Sequence, residues 1–537
     1  MKGFKIIITV LLINFSISRA YRILVIFPFH AKSHDNMLSA FAKGLAERKH
    51  QVDVVTHYPL KNPPDTYKVV VNLNGTEPPI INSFHIDYAK TIAEDVTTAV
   101  SDRYGSDLCH YMNLPEFQKL IKKIKSSKEK LYDLVVMEVF GSSCYIGFGR
   151  LLKVPVVGIS TLIEFPWISD FIGNDDNLAY VPSCSSTYFD KTKFWDRLMN
   201  FLHYHSQKYR FQSKTEKIQT ELMRKYLSPD MPNVREIEKD VALTFVNRHP
   251  VIFGVKPLVP SLVELSALHI EKDPKLPADL QKWLDESKSG VVYFTFGSMV
   301  LIETLPEHQL LGIYDSLRKL NQRVLLKIAD PAKLPPNLPE NVLTSPWIPQ
   351  QAVLKHKNVK LFITHGGLMG SQEALYYGVP MIGIPLFGDQ PINVDKFVQM
   401  KMSVKIEFDN LTSSSLDWAL NEMFTNYEVY KERAEYNSRL FKDRPMSPLD
   451  TAEYWIKYVI RYGAGPLKSP ALELTWWQLS MLDVYVFLLI CFIVANLFLC
   501  FFLCNSVNLF LAVVNFIKNR ISIKHRTSSR NLSKKIK

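Results

Sequence analysis

Short apolar runs alternate along this chain with stretches of helical periodicity, and that alternation sets the fold class. Residues 21–27 are apolar, a loop from Pro28 to His34 follows, and Met37, Leu38, Phe41, Leu45 and Ala46 then recur at helical spacing. A second run at residues 52–55 completes a β-loop-α-β opening, the start of a doubly wound α/β sheet. Further strand-like runs lie at 132–140, 156–159 and 241–246, and much of 194–226 has helical spacing. The pattern restarts at 291–296, continues through a helix at 310–320 and a strand at 323–327, and reaches an apolar run at 361–363 that breaks at His365-Gly366-Gly367. A helix resumes from Ser371, ends at Gly378, and precedes another strand at 381–386. Two successive β/α halves facing a cleft are expected.

The two ends of the chain read differently. Residues 1–20 carry Lys2 and Lys5, an apolar centre and the small-residue close Ser18-Arg19-Ala20, the pattern of a signal peptide. Residues 484–504 contain no charge and span roughly 30 Å as a helix, so they predict a transmembrane segment, extendable to about 515. The expected organisation is a first lobe at 21–256, a linker at 257–285, a second lobe at 286–446 and a helical and juxtamembrane segment at 447–480. The membrane helix and a basic tail at 518–537 follow.

A formal charge of +12 over 537 residues invites a nucleic-acid reading, but its distribution removes it. Eleven of the excess positive charges lie in residues 1–20 and 518–537, which leaves a nearly neutral body. The basic tail belongs on the cytosolic side of a membrane helix. Of six cysteines, Cys491, Cys500 and Cys504 fall in the terminal apolar run, and no pair has C-x-x-C spacing. One disulfide among Cys109, Cys144 and Cys184 is compatible with the sequence, which leaves the pairing open.

The chemistry concentrates between Trp347 and Gln390. A strand, a glycine turn and a helix leave unpaired N–H groups and a positive helix end facing the crevice, a setting for phosphate. His365 adds a donor, Glu373 can accept from a ribose, and Trp347, between Pro346 and Pro349, offers a flat face to a base. Asp389 and Gln390 fall past the next strand, where open α/β sheets bind ligands. Gly297-Ser298 forms another glycine turn at a strand end. In the first half, His30 and His34 share one loop, without the third ligand a zinc site needs, and Glu138 closes a buried-looking strand at the same sheet edge.

This constellation resembles the signature of the UDP-glycosyltransferases. The resemblance implies a GT-B fold of two Rossmann-like domains and puts Trp347 on uracil and Gln350 and Glu373 on the ribose. It also puts His365 and Ser371 near the pyrophosphate, where the turn glycine Gly367 and the Gly297-Ser298 turn can add donors, and Asp389 and Gln390 on the sugar hydroxyls. It makes His34, in the step Ser33-His34, the catalytic base and Glu138 its partner, a glutamate as in insect members. It brings the helix after Ser447 back onto the first domain. Met369 departs from the usual small polar residue, and Ser266-Ala267 replace a glycine pair.

The implied activity is inverting transfer of a hexose from a UDP-sugar co-substrate, with UDP-glucose preferred over UDP-glucuronate, to a small lipophilic hydroxyl, in conjugation or detoxification. No metal or other cofactor is expected. Some aromatic residues among Phe165, Trp167, Tyr180, Phe189, Phe194, Trp195, Phe201, Tyr204, Tyr209 and Phe211 are expected to wall the acceptor site. The alternative is a catalytically silent binder of the same fold, favoured by Met369 and Ser266-Ala267. A single-pass type I protein of the endoplasmic reticulum membrane is expected, with lumenal lobes and sequons at Asn74 and Asn410; its tail ends in the dilysine-like Lys534-Lys535-Ile536-Lys537. Homo-oligomerisation is left open.

Overall fold

The computed structural model describes residues 20–184 and 189–533. The expected leader, up to Arg19, and the dilysine tetrad lie outside the described residues. The chain divides into two compact units, Met1–Leu472 and Glu473–Lys537.

The first unit holds two parallel sheets. In the first, β1 (Arg22–Ile26), β2 (Gln51–Thr56), β3 (Tyr67–Asn72), β4 (Leu134–Glu138), β5 (Val156–Ser160), β6 (Val241–Val246) and β7 (Leu262–Glu264) take the order β3-β2-β1-β4-β5-β6-β7. The second orders β8 (Val291–Thr295), β9 (Arg323–Lys327), β10 (Val342–Ser345), β11 (Val359–Thr364), β12 (Met381–Gly383) and β13 (Ser403–Lys405) as β10-β9-β8-β11-β12-β13. Their central strands are β-branched and buried on both faces, as sheets covered by helices on either side require. Winding reverses between β1 and β4 and again between β8 and β11, so each lobe has a crevice at the carboxyl ends of those strands.

Six helices matter for the site and its support: α1 (Lys32–Glu47), α2 (Phe194–Tyr226), α3 (Leu368–Tyr377), α4 (Gln390–Gln399), α5 (Pro448–Tyr462) and α6 (Leu482–Ser533). α5 seats Ala452, Ile456 and Val459 in the first lobe's core, and Leu449 lies so close to Gly44 of α1 that a Cβ there would come within 2.3 Å of it. Arg48 joins Asp450 at 2.5 Å and Glu453 at 3.0 Å. The return of this helix to the first lobe is therefore built on both packing and charge.

Two expectations change in detail, and one open choice is settled. The stretch 257–285 is not bare linker: β7 extends the first sheet and a helix spans Ala278–Glu286. Its apolar residues Leu262 and Val263 are buried in that sheet despite the surrounding prolines. A disulfide joins Cys109 to Cys144, a choice the sequence left open. Of the aromatic cluster, Trp167 and Phe211 stack at 4.1 Å inside the core, while Phe194, Trp195, Phe201 and Tyr209 are exposed on α2.

In the second unit, α6 is one unbroken helix containing residues 484–504, and Leu482–His525 is long and apolar enough to cross a membrane.

Candidate active site

A cleft of about 1280 Å³ opens between the two lobes and takes its walls from both. On the first-lobe side, β1 and β4 are neighbours with Ile26 opposite Met137, so their ends deliver α1 and Glu138 to the same edge. His34, in the first turn of α1, places Nδ1 2.5 Å from Glu138 Oε1, and both side chains are buried. An ionised carboxylate only accepts, so Nδ1 carries the proton and Nε2 keeps its lone pair. Phe29 and Phe140 meet the imidazole edge-on, at 4.6 and 5.2 Å between ring centres, and fix its plane. Thr161 Oγ1 lies 2.8 Å from the same Nδ1, where it shares that N–H as a second acceptor.

The second lobe presents the glycine turn. Gly366 has φ +81° and Gly297 φ +78°, both in the left-handed region that favours glycine. The His365 ring occupies the space beside Gly297 and Gly367, where an added Cβ would lie 2.5 and 2.8 Å from it. Burial, helped by Lys327, pushes the His365 imidazole down to about 4, so at neutral pH it is an uncharged hydrogen-bonding group. The positive charge belongs instead to Lys327, at the end of β9. Its amine is pushed down to about 8 by burial, with Glu303 opposing, and it donates to Asn82 of the first lobe.

Trp347 is 49% exposed along the cleft wall, so its ring is open to the cleft. Gln350 Nε2 donates to Glu373 Oε2 at 2.6 Å and Gln350 Oε1 accepts from the Tyr293 hydroxyl at 3.1 Å. His269 approaches the other Glu373 oxygen at 3.4 Å. Asp389 and Gln390 also line the cleft. Burial raises the Asp389 carboxyl above its usual range, while Asn393, its own backbone and His34 pull it back. His34 thus acts on Asp389 from the opposite lobe. Gln390 spends its oxygen on the Leu386 and Phe387 N–H groups, at 2.8 and 3.1 Å, which ties down the loop around Asp389.

Ten of the expected positions, His34, Gly297, Ser298, Trp347, Gln350, His365, Gly367, Glu373, Asp389 and Gln390, therefore line one cleft, and Glu138 stands directly behind His34. Ser371 does not line it. The wall there runs from Gly367 to Gly370, and the helical position of Ser371 turns it away, its buried hydroxyl meeting no hydrogen-bond partner among the described residues. Met369 lines the cleft and packs against the first lobe's apolar core. Ala267 holds φ +64°, a conformation that explains why a glycine would suit this place. Asn74 and Asn410 are exposed.

Sequence reasoning missed Lys327 and Thr161, whose only local signals were a polar residue at the end of an apolar strand. It also missed the apolar end of the cleft, built by Phe29, Ile92, Val100, Tyr104 and Phe140 alongside the anticipated Phe165.

Comparison with known proteins agrees with this geometry. The family model described as UDP-glucoronosyl and UDP-glucosyl transferase matches residues 24–515. The chain is 36% identical to UDP-glucosyltransferase 2 of Dactylopius coccus over 483 residues, covering 89% of this chain and 91% of that one. It is 34% identical to UDP-glucuronosyltransferase 2C1 of Oryctolagus cuniculus over 381 residues, or 70% and 73% of the two chains. Phytolacca americana UGT2, solved with UDP-2fluoro-glucose and pterostilbene, superposes with TM-score 0.55 at 17% identity, covering 82% of this chain and all of that one. Glycosyltransferase VinC, solved with DTDP, gives 0.53 at 16%, again over 82% of this chain and 100% of its own, so both establish a shared fold. With two parallel-sheet lobes around a nucleotide-type turn, and these relatives, the chain belongs to the family of UDP-glucuronosyl and UDP-glucosyl transferases.

Proposed function

We propose that the protein moves glucose from UDP-glucose to a hydroxyl of a small lipophilic acceptor, inverting the anomeric carbon. The observation that carries this reading is that the His34–Glu138 pair and the glycine turn beside Trp347 open into one cleft. His34 Nε2 takes the acceptor O–H proton and Glu138 stabilises the imidazolium that forms. The freed oxygen bonds to the anomeric carbon as the bond from that carbon to the β-phosphate oxygen breaks, and UDP carries away the electron pair. Trp347 stacks on uracil, and Gln350 and Glu373 hold the ribose. The charge growing on the diphosphate is met by the N–H groups at the start of α3, the neutral His365 and the Lys327 cation. No metal takes part.

The donor preference rests on the relatives. The similarity is higher and more complete to a UDP-glucosyltransferase, 36% over 89% of this chain, than to a UDP-glucuronosyltransferase, 34% over 70%, which favours glucose. The six apolar residues at the other end of the cleft favour an aromatic or aliphatic acceptor, consistent with a role in conjugation. Anchorage by α6 in the endoplasmic reticulum membrane, with lumenal lobes and glycans on Asn74 and Asn410, is part of the same proposal. The Cys109–Cys144 disulfide supports it, since such bonds persist in oxidising compartments.

Membranes carrying the protein, supplied with UDP-glucose or UDP-glucuronate and a phenol library, test the reading by mass spectrometry and NMR of the products. A β-glucoside is expected. A glucuronide would transfer the donor assignment, and UDP binding without any product would favour the silent binder to which Met369 points.

A further inference from the structure

The helix that opens at the glycine turn is tied through hydrogen bonds to the imidazole on the opposite lobe. Gln372, inside α3, donates from Nε2 to Asn247 Oδ1 at 2.8 Å and accepts at Oε1 from the Ala267 N–H at 3.3 Å. Asn247, directly after β6, donates from Nδ2 to the Thr161 carbonyl at 2.9 Å. Thr161, directly after β5, presents its Oγ1 to His34 Nδ1. None of Thr161, Asn247 and Gln372 is more than 1% exposed, so water does not substitute for any member.

The two amides give the bridge a direction. Each uses its oxygen as acceptor and its nitrogen as donor, and turning either over would set like atoms against each other in two bonds at once. The Gln372 amide meets Asn247 across the lobes, so that bond forms only while α3 stands this close to the end of β6. A buried polar bridge can serve merely to satisfy loop ends. This one ends on the side chain proposed as base and begins on the helix proposed to meet the diphosphate, which a loop-satisfying role does not require.

We infer that Asn247 and Gln372 are positioning residues, through which the seating of the donor helix sets the place of the His34 imidazole, so that the base is aligned only when the lobes stand at this separation. The inference rests on the reading of His34 as the base. Neither residue touches substrate; both act through the Thr161 segment.

The test uses the full chain in membranes and three variants, Gln372→Met, Asn247→Leu and the double. Methionine and leucine keep the volumes of the side chains they replace and remove the hydrogen bonds. Each single variant is expected to lower kcat about tenfold while leaving the dissociation constant for UDP within twofold. Each is also expected to shift the acidic limb of the kcat profile, which a merely structural role leaves in place. The double variant is expected to lose no more than the worse single, since both interrupt one path. Losses that multiply in the double, a kcat within twofold of the parent, or a fall in melting temperature large enough to leave the enzyme partly unfolded at the assay temperature each overturn the inference. His34→Ala serves as the reference: if it keeps turnover, the base reading itself fails. If it abolishes turnover while Gln372→Met and Asn247→Leu are neutral, the bridge alone fails.

Discussion

Replacing Glu138 by glutamine separates the charge of that residue from its shape. The contact of 2.5 Å between Glu138 Oε1 and His34 Nδ1 puts the two charge centres about 4 Å apart when the imidazole is protonated. At the effective dielectric of a partly enclosed site, two unit charges at that distance attract by about 4 kcal/mol, close to three powers of ten in rate. The amide oxygen of glutamine can still accept the Nδ1 proton, and Thr161 still flanks it, so the tautomer survives and part of the loss is recovered. The expected fall in kcat is therefore on the order of 10²–10³. UDP affinity should be unchanged, because Glu138 belongs to the first lobe and the proposed nucleotide contacts to the second. Initial rates of glucoside formation with UDP binding measured by calorimetry give both numbers. A kcat within threefold of the parent, or a UDP affinity that falls as far as kcat, refutes the reasoning.

Lys327→Gln should raise the donor KM about 10- to 100-fold, the range for a lost charge-assisted contact. In the parent, whose amine sits at about 8, donor KM should climb as pH rises past that value and stay flat in the variant. Ala267→Gly relieves a left-handed alanine but frees the unfolded chain, and the balance should stabilise the protein by about 0.5 kcal/mol in urea unfolding. Acid should destabilise the fold through His30, His57 and His365. Each is held at about 4 by burial, so the unfolded imidazoles take up protons first and stability, full above about 6.5, drains away between there and pH 4, at about 3 kcal/mol per residue. Melting temperatures across that range check the sign.

How far the site could be read before any coordinates follows from what periodicity encodes. Parallel strands buried on both faces are apolar runs, and the residues just beyond their ends approach the switch-point crevices, so Gly297 and His365 were legible from position, whereas the choice of His34 over His30 and the weight on Glu138 came from the family resemblance. Side-chain direction within a helix was not. Ser371 lies in the right helix but one step around from the face that meets the cleft, and nothing local distinguishes it from Gly370. Contacts between segments far apart in sequence were also hidden: Asn82 reaching Lys327, the Cys109–Cys144 pairing, and the chain from Gln372 through Asn247 to Thr161. Bulky aromatic composition misled in the segment after residue 161, because α2 is long enough to carry exposed rings as well as core ones. Of that segment Phe165 does line the apolar end of the cleft, beside Phe29 and Phe140, each a single residue next to a strand end.

The proposed mechanism requires a first-lobe imidazole acting on a sugar that the second lobe holds. His34→Ala, assayed for UDP-glucose binding and for glucoside release in the same membranes, measures this directly. Binding equal to the parent with turnover reduced to the level of the uncatalysed reaction is the predicted result; undiminished turnover, or loss of nucleotide binding along with it, contradicts the division of labour between the lobes.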